Sequence, residues 1–229
     1  PTRAALALMP IALSMLRLEQ RARDAVGGTR LRVGASSNIG IYLLQPHVRS
    51  FRNAPTAPEV DLVIDNNPAI ADQLTQGELD IAIMEWWRPT PGFLARDWRQ
   101  EPIVLITPPD HPCAHMKEID RDTLSGMTLL GGEPGTGTGR ILANFFGDSG
   151  PFPSVSMQLG STEAVKQAVK AGLGVSLVLA ACVSDEVQAG TLKAIPVSDS
   201  GLAKSLMVIN PEALTSHPSV SAFVRHLCH

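Results

Sequence analysis

Leu31-Arg32-Val33-Gly34-Ala35-Ser36-Ser37-Asn38-Ile39-Gly40 is the stretch on which the reading of this chain turns. An apolar run of strand length, Leu31–Ala35, stops at a cluster of small, hydroxyl and amide residues. A helical pattern then takes over through Ile41, Leu44, Val48 and Phe51. Strand, short polar turn, helix is the unit from which open α/β sheets are wound. Ligands of such sheets bind beyond the carboxyl ends of the strands, where Ser36, Ser37 and Asn38 fall.

Outward from this stretch the unit repeats. Strand-like runs at Val60–Ile64, Asp80–Met84 and Ile103–Thr107 bracket a short helix near Ile70–Leu74, and Pro108-Pro109 closes the last run. The pattern restarts with strands at Met127–Leu130, Val155–Leu159 and Val175–Leu179. Helices are expected around Ile141–Phe146, over Thr162–Ala171 and from about Ala181. A strand at Leu206–Ile209 and a helix through Val220, Val224 and Leu227 close the chain. Alternation of this kind points to parallel sheets with crossover helices. The Pro108–Pro112 break points to two lobes, with the final strand and helix able to return to the first.

The segment before the first strand, Thr2 to Val26, has helical period with two apolar stripes: Leu6, Met9, Leu13, Leu16 and Leu8, Ile11, Met15, Leu18. Two stripes exceed what one core face needs, so a partner helix is expected. Pro10 should kink this helix or sit where no donor is missed, and Gly27-Gly28 ends it as a hinge. The chain opens mid-pattern at Pro1, without Met or a cap, and reads as a cut fragment.

Bulk properties narrow the classes. The 229 residues are 44% hydrophobic and 18% charged, an ordinary folded composition. A net charge of −3 lacks the basic excess of a phosphate-gripping surface, so DNA contact would need a part absent from this chain. Cys113, Cys182 and Cys228 are odd in number and widely spaced, as expected of free thiols in a reducing compartment. Arg17, Glu19, Arg21 and Arg23 follow the apolar N-terminus without a cleavage site, and that stretch is shorter than the ~20 residues of a membrane span. The expectation is a cytoplasmic protein with no membrane partner.

Three places put glycine and hydroxyl residues between a strand and a helix: Gly34–Gly40, Glu133–Gly139 and Gly160–Glu163. Helix N-termini there offer unpaired N–H groups to an anion, although Ser, Thr and Asn are also ordinary N-caps. Enzymatic readings fail on missing parts. Gly147-Asp148-Ser149-Gly150 resembles a serine-protease nucleophile segment but lies at a helix end. Gly132 to Thr138 resembles a phosphate loop whose lysine is replaced by Thr138. His111, Cys113 and His115, and His226, Cys228 and His229, lack a second pair at zinc spacing, so no metal or other cofactor is expected. Trp86-Trp87 reads as edge packing more readily than as a ligand platform.

Taken in order, several of these segments resemble LysR-type transcriptional regulators. They are Leu31–Ser36, Tyr42-Leu43-Leu44, Gly77–Ala82, Pro108-Pro109-Asp110-His111-Pro112, Glu133–Thr138, Gly160–Lys166 and Ala171–Val175. The resemblance covers nearly the whole chain and is nearest the regulators of sulfur assimilation and carbon fixation. It implies an effector domain of two Rossmann-like lobes joined by a two-strand hinge, the type 2 periplasmic-binding-protein-like fold, behind a long linker helix. Residues 1–28 would be the dimerising linker, 29–108 with 206–229 lobe I, and 109–205 lobe II. The partners implied are a small-molecule or anionic effector held between the lobes and a second copy of the chain, with tetramers for the full-length protein. DNA would be reached only through a missing N-terminal helix-turn-helix domain. Ser36 and Asn38 match the family's effector contacts, Thr136 and Thr138 match its second-lobe loop, Thr162 stands at the third junction, and Ser37, Gly135 and Gly137 complete the expected ligand-binding set. Relatives commonly carry arginine where this chain has Gly132 and Gly139, and Arg140 is displaced by one residue, which favours a weakly charged effector. A solute-binding protein of a transporter shares the fold and is the alternative.

Overall fold

A computed structural model describes residues 30–55, 57–132, 137–147, 152–198 and 202–228, with Thr2, Ala4, Ala5, Leu8, Met9, Ala12, Met15 and Glu19. The chain gathers into two compact units: Pro1–Trp98 with Leu206–His229, and Arg99–Ser205.

In the first unit β1 (Arg30–Ser36) is central. It pairs in parallel with β2 (Glu59–Asp65), Ser36 opposite Asp65, and with β3 (Ile81–Met84), Ala35 opposite Ile83. Every β1 residue from Leu31 to Ser36 is buried apart from half-buried Arg32, as an interior strand requires, whereas edge strand β2 is half exposed. After β1 the chain turns helical at Ser37 and Asn38 but does not continue as a regular α-helix. It makes a π-helical turn, Ile39–Leu43, and then α1 (Gln45–Arg52), with the Gln45 amide donating to the Gly40 carbonyl at 2.9 Å. The wide turn keeps Gly40 against Ile64, where an added Cβ would come within 2.6 Å of Ile64 Cγ1. α2 (Asn67–Thr75) starts at the Asn66 cap and lays Ile70 and Leu74 on Leu79, Ala82, Met84 and Ile209.

Two long strands belong to both units: β4 (Phe93–Thr107), and β9 (Ala203–Pro211), which follows the strands of the second unit. β9 runs antiparallel to β3, Ile83 opposite Val208. The first unit closes with α7 (Pro218–Cys228), whose Phe223 ring meets Phe51 of α1 edge-on at 4.9 Å.

The second unit is wound from β5 (Thr128–Leu130), β6 (Ser154–Met157), β7 (Ser176–Leu179) and β8 (Lys193–Pro196). β5 pairs in parallel with β6, and Leu129 bridges Val175 in parallel. β4 pairs antiparallel with both β7 and β8. Helices α3 (Arg121–Ser125), α4 (Gly137–Phe146), α5 (Thr162–Lys170) and α6 (Ser184–Gln188) complete it. α5 packs Val165, Ala168 and Val169 on Val104, Ile106, Leu130 and Val178. A short 3₁₀ turn, Ala180–Val183, precedes α6.

Three features correct the expectations. The sheets are mixed rather than parallel, because the apolar period that marks a strand carries no information about its direction. β4 begins ten residues before Ile103, since its first half alternates half-buried and exposed residues and lacks an apolar run. The N-terminal helix does have a cap: Thr2 Oγ1 accepts the Ala5 N–H at 3.2 Å. Of its two stripes, Leu8, Met9 and Met15 are helical and exposed, while Leu6, Ile11, Leu13, Leu16 and Leu18, with Pro10 and Gly27-Gly28, lie outside the described residues.

Candidate functional site

At the carboxyl end of β1 three expected contact residues follow one another, and their surroundings differ. Ser36 is 1% exposed and its hydroxyl has no hydrogen-bond partner among the described residues. By strand alternation it shares a face of β1 with Gly34, which packs on Ile70 and Leu79. Ser37 donates its hydroxyl to the Asp65 carbonyl at 3.0 Å, tying β1 to the end of β2. The Asn38 amide donates to Glu85 Oε1 at 3.1 Å.

Glu85 did not stand out in the sequence. Parallel pairing sets it level with Ser37, one residue beyond β3. Its backbone is held from α2: the Glu85 N–H donates to Asn67 Oδ1 at 2.9 Å, and the Asn67 amide donates to the Trp86 carbonyl at 3.0 Å. Asn67 is itself buried. The available signal was register, because the run ending at Met84 stops at the same sheet edge as the run ending at Ala35.

In the second unit, Gly137 and Thr138 form the first turn of α4 and are half-buried, while Gly135 and Thr136 lie outside the described residues. Gly132 has φ +85°, a conformation L side chains rarely adopt, and a Cβ there would lie 3.2 Å from Leu142 Cδ1. A larger residue at this turn would strain the backbone. Thr162 opens α5 and is half-buried, but the cap is Ser161, whose Oγ accepts the Ala164 N–H at 3.2 Å. On the same helix Lys166, 4% exposed, reaches Glu163 and Glu186 at 2.9 Å each and the Cys182 carbonyl at 3.2 Å. Burial raises the Glu186 carboxyl. The Lys166 hydrogen bond, the residue's own N–H and the lysine charges reverse this and hold it below its ordinary value of 4.5.

The remaining candidates settle into structural roles. His111 Nδ1 accepts the Cys113 N–H at 3.2 Å, capping the Pro112–His115 turn. His226 meets the His47 carbonyl at 3.2 Å. Among the described residues no group of three or more His, Cys, Asp or Glu could hold a metal ion. Cys113, Cys182 and Cys228 form no disulfide with one another. Trp87 packs on Phe93 with ring centroids 5.6 Å apart and lines an apolar cavity of about 440 Å³ with Pro89, Pro91 and Met207. Asp148, Ser149, Gly150 and His229 lie outside the described residues. No helix among the described residues is long and apolar enough to cross a membrane.

Two α/β units sharing two long strands make up the molecule, and at one strand end the Ser36 hydroxyl is buried and unsatisfied among the described residues. Residues 25–228 match the LysR substrate binding domain, and the chain belongs to that family. Among its relatives is the putative HTH-type transcriptional regulator PtxE of Stutzerimonas stutzeri, 56% identical over 139 residues, 60% of this chain and 71% of that protein. Another is CbbR of Rhizobium meliloti (strain 1021), 32% identical over 93% of this chain and 68% of the relative. The regulatory domain of Synechocystis PCC6803 CcmR, solved in complex with 2-PG, shares the fold with a TM-score of 0.77 at 23% identity, covering 87% of this chain and 96% of that one. The family is one of transcriptional regulators, not enzymes. Its members bind small effectors, form oligomers and reach DNA through an N-terminal helix-turn-helix domain. The transporter alternative gives way to this assignment.

Proposed function

We propose that this chain is the effector-sensing part of a cytoplasmic regulator. Its residues 1–28 act as a linker helix, residues 29–108 with 206–229 form one lobe, and residues 109–205 form the other. The effector is held in the first unit by Ser36 and Asn38, with Ser37 shaping the turn. Gly137, Thr138 and Thr162, with Gly135 and Thr136, are proposed on the same chemistry as the contacts from the second.

The observation that carries this reading is the Ser36 hydroxyl, buried at a strand end without a partner among the described residues. An unsatisfied buried hydroxyl costs about 1–3 kcal/mol, so it persists where something outside the fold completes it. Ligand binding then biases the domain between arrangements that differ in how they present the linked DNA-binding domains.

Ser36→Ala separates this role from a structural one. Because the hydroxyl satisfies nothing among the described residues, the variant should unfold in urea within about 0.5 kcal/mol of the parent, or be slightly more stable. Ligands found by thermal shift across a panel of small metabolites should bind it at least about fivefold more weakly, one lost hydrogen bond. Unchanged affinity by calorimetry on the folded variant would remove Ser36 from the site.

A further inference from the structure

We infer that Glu85 sets the chemical class of the effector: an oxyanion that carries its own O–H group. This rests on the reading that Ser36 and Asn38 contact the ligand. Within that site the Ser36 hydroxyl can donate to an acceptor oxygen. The neighbouring side chain differs in kind. Glu85 is a carboxylate, half-buried, and its position is fixed twice: by its own N–H on Asn67 Oδ1, and by the Asn67 amide on the next carbonyl. The Asn67 bonds fix its backbone, and the Asn38 amide on Oε1 holds its carboxylate.

An ionised carboxylate only accepts hydrogen bonds. It already takes one N–H of Asn38, which draws part of that amide's donating capacity away from a ligand. Asp65 ends β2 opposite Ser36, its carboxylate accepting the Asn66 N–H at 2.7 Å, so the β2 and β3 ends that flank β1 both carry acidic residues. A fully ionised anion placed against the Asn38 amide meets Glu85, whose Oε1 already accepts that amide at 3.1 Å, with acceptor against acceptor and like charge against like charge. An oxyanion with an O–H turns that clash into a charge-assisted hydrogen bond. The same logic covers a protonated phosphate-like group and a hydroxy acid, because each puts a donor one or two bonds from an acceptor oxygen.

Two matched probe pairs test this by calorimetry at neutral pH: inorganic phosphate against sulfate, and glycolate against acetate. In each pair only the first member has an O–H. The unsubstituted chain should prefer phosphate, glycolate or both by about tenfold or more, the strength of a hydrogen bond to a charged group. Which pair shows the preference separates the phosphate-like source from the hydroxy-acid source. Glu85→Gln keeps an acceptor for Asn38 but removes the charge and adds a donor. It should bring the preferred pair to within about threefold by strengthening sulfate or acetate. No preference in either pair, no saturable binding of any of the four probes, or a preference that survives Glu85→Gln in a variant with an unchanged urea midpoint would overturn the inference. Ser36→Ala reports on the underlying site instead. It should weaken all bound probes alike, and if it does not while Glu85→Gln still collapses the preference, the Ser36 assignment fails and the Glu85 assignment stands.

Discussion

Gly34→Ala adds one carbon to the strand on which the first unit is built, and its cost can be worked out from its neighbours. A Cβ at Gly34 would overlap Leu79 Cδ1 and come within 3.1 Å of Ile70 Cγ2 and 3.4 Å of Ile70 Cδ1. Both side chains are fully enclosed by the α2–β3 cluster, so neither has free space to retreat into. Overpacking of this kind costs about 1–3 kcal/mol, while replacing glycine gains about 0.4–1 kcal/mol by restricting the unfolded chain. The net expectation is a destabilisation of about 1–2 kcal/mol, or a fall in Tm of roughly 2–8 °C for a protein of this length. Urea unfolding followed by circular dichroism measures it. Leu79→Val in the same background should be far less harmful than alone, with a coupling of about 1 kcal/mol, because it vacates the space the new methyl needs. An alanine variant as stable as the parent, or additive with Leu79→Val, would refute this account of the β1–α2 contact.

Other expectations follow from the same structure. Lys166→Met should cost about 1–2 kcal/mol, since it removes the main partner of the half-buried Glu186 carboxylate, which keeps Lys170 at 3.3 Å; chemical denaturation reads it. Glu163 is also held low, first by the Gln167 hydrogen bond and then by Lys166, so both carboxyls have folded pKa values below their unfolded value of 4.5. The stability they contribute is complete above pH 4.5 and is lost as pH falls through the folded values. Urea midpoints should therefore drop below that point, and drop less in Glu186→Gln. Leu8 and Met15, 61% and 66% exposed in the single chain and seven residues apart on one helix face, should be covered in a dimer. Leu8→Asp with Met15→Asp should weaken self-association at least about tenfold in sedimentation equilibrium. Trp98→Phe removes the indole N–H bond to the Leu227 carbonyl, 2.8 Å, and should destabilise by about 1 kcal/mol in urea unfolding.

The strands were legible wherever the apolar period was unbroken. Leu31–Ala35, Asp80–Met84 and Val175–Leu179 each overlap a strand whose inner residues are buried. Legibility failed where burial is shared with water. Arg96 pairs with Asn210 Oδ1 at 2.8 Å and Arg99 with Glu101, so the first half of β4 spends its side chains on polar contacts and leaves no apolar run. β8, with one fully buried residue at Ile195, was missed for the same reason. The π-helical turn after β1 depends on Gly40 fitting under Ile64, a tertiary contact that no local pattern encodes. In the candidate site, chain position pointed to Ser36, Ser37 and Asn38, but only hydrogen bonding distinguishes the hydroxyl that is spoken for from the one that is not. Glu85 enters through pairing between strands separated by the whole β2–α2 crossover, which a linear reading does not see.

The interrupted first unit has a consequence for how the chain is made. The second unit is one continuous stretch, Arg99–Ser205, and can fold as soon as it leaves the ribosome. The first unit begins earlier but must wait for Leu206–His229, which supplies the buried Val208 and Ile209 beside β3 and the buried Phe223 against Phe51. Until Leu206–His229 emerges, β3 exposes a bare edge, and a nascent or prematurely terminated chain presents an apolar surface with no strand to cover it. Surveillance by chaperones and proteases should fall on that half of the molecule. Chains cut short before Leu206 should be cleared while retaining a folded second unit.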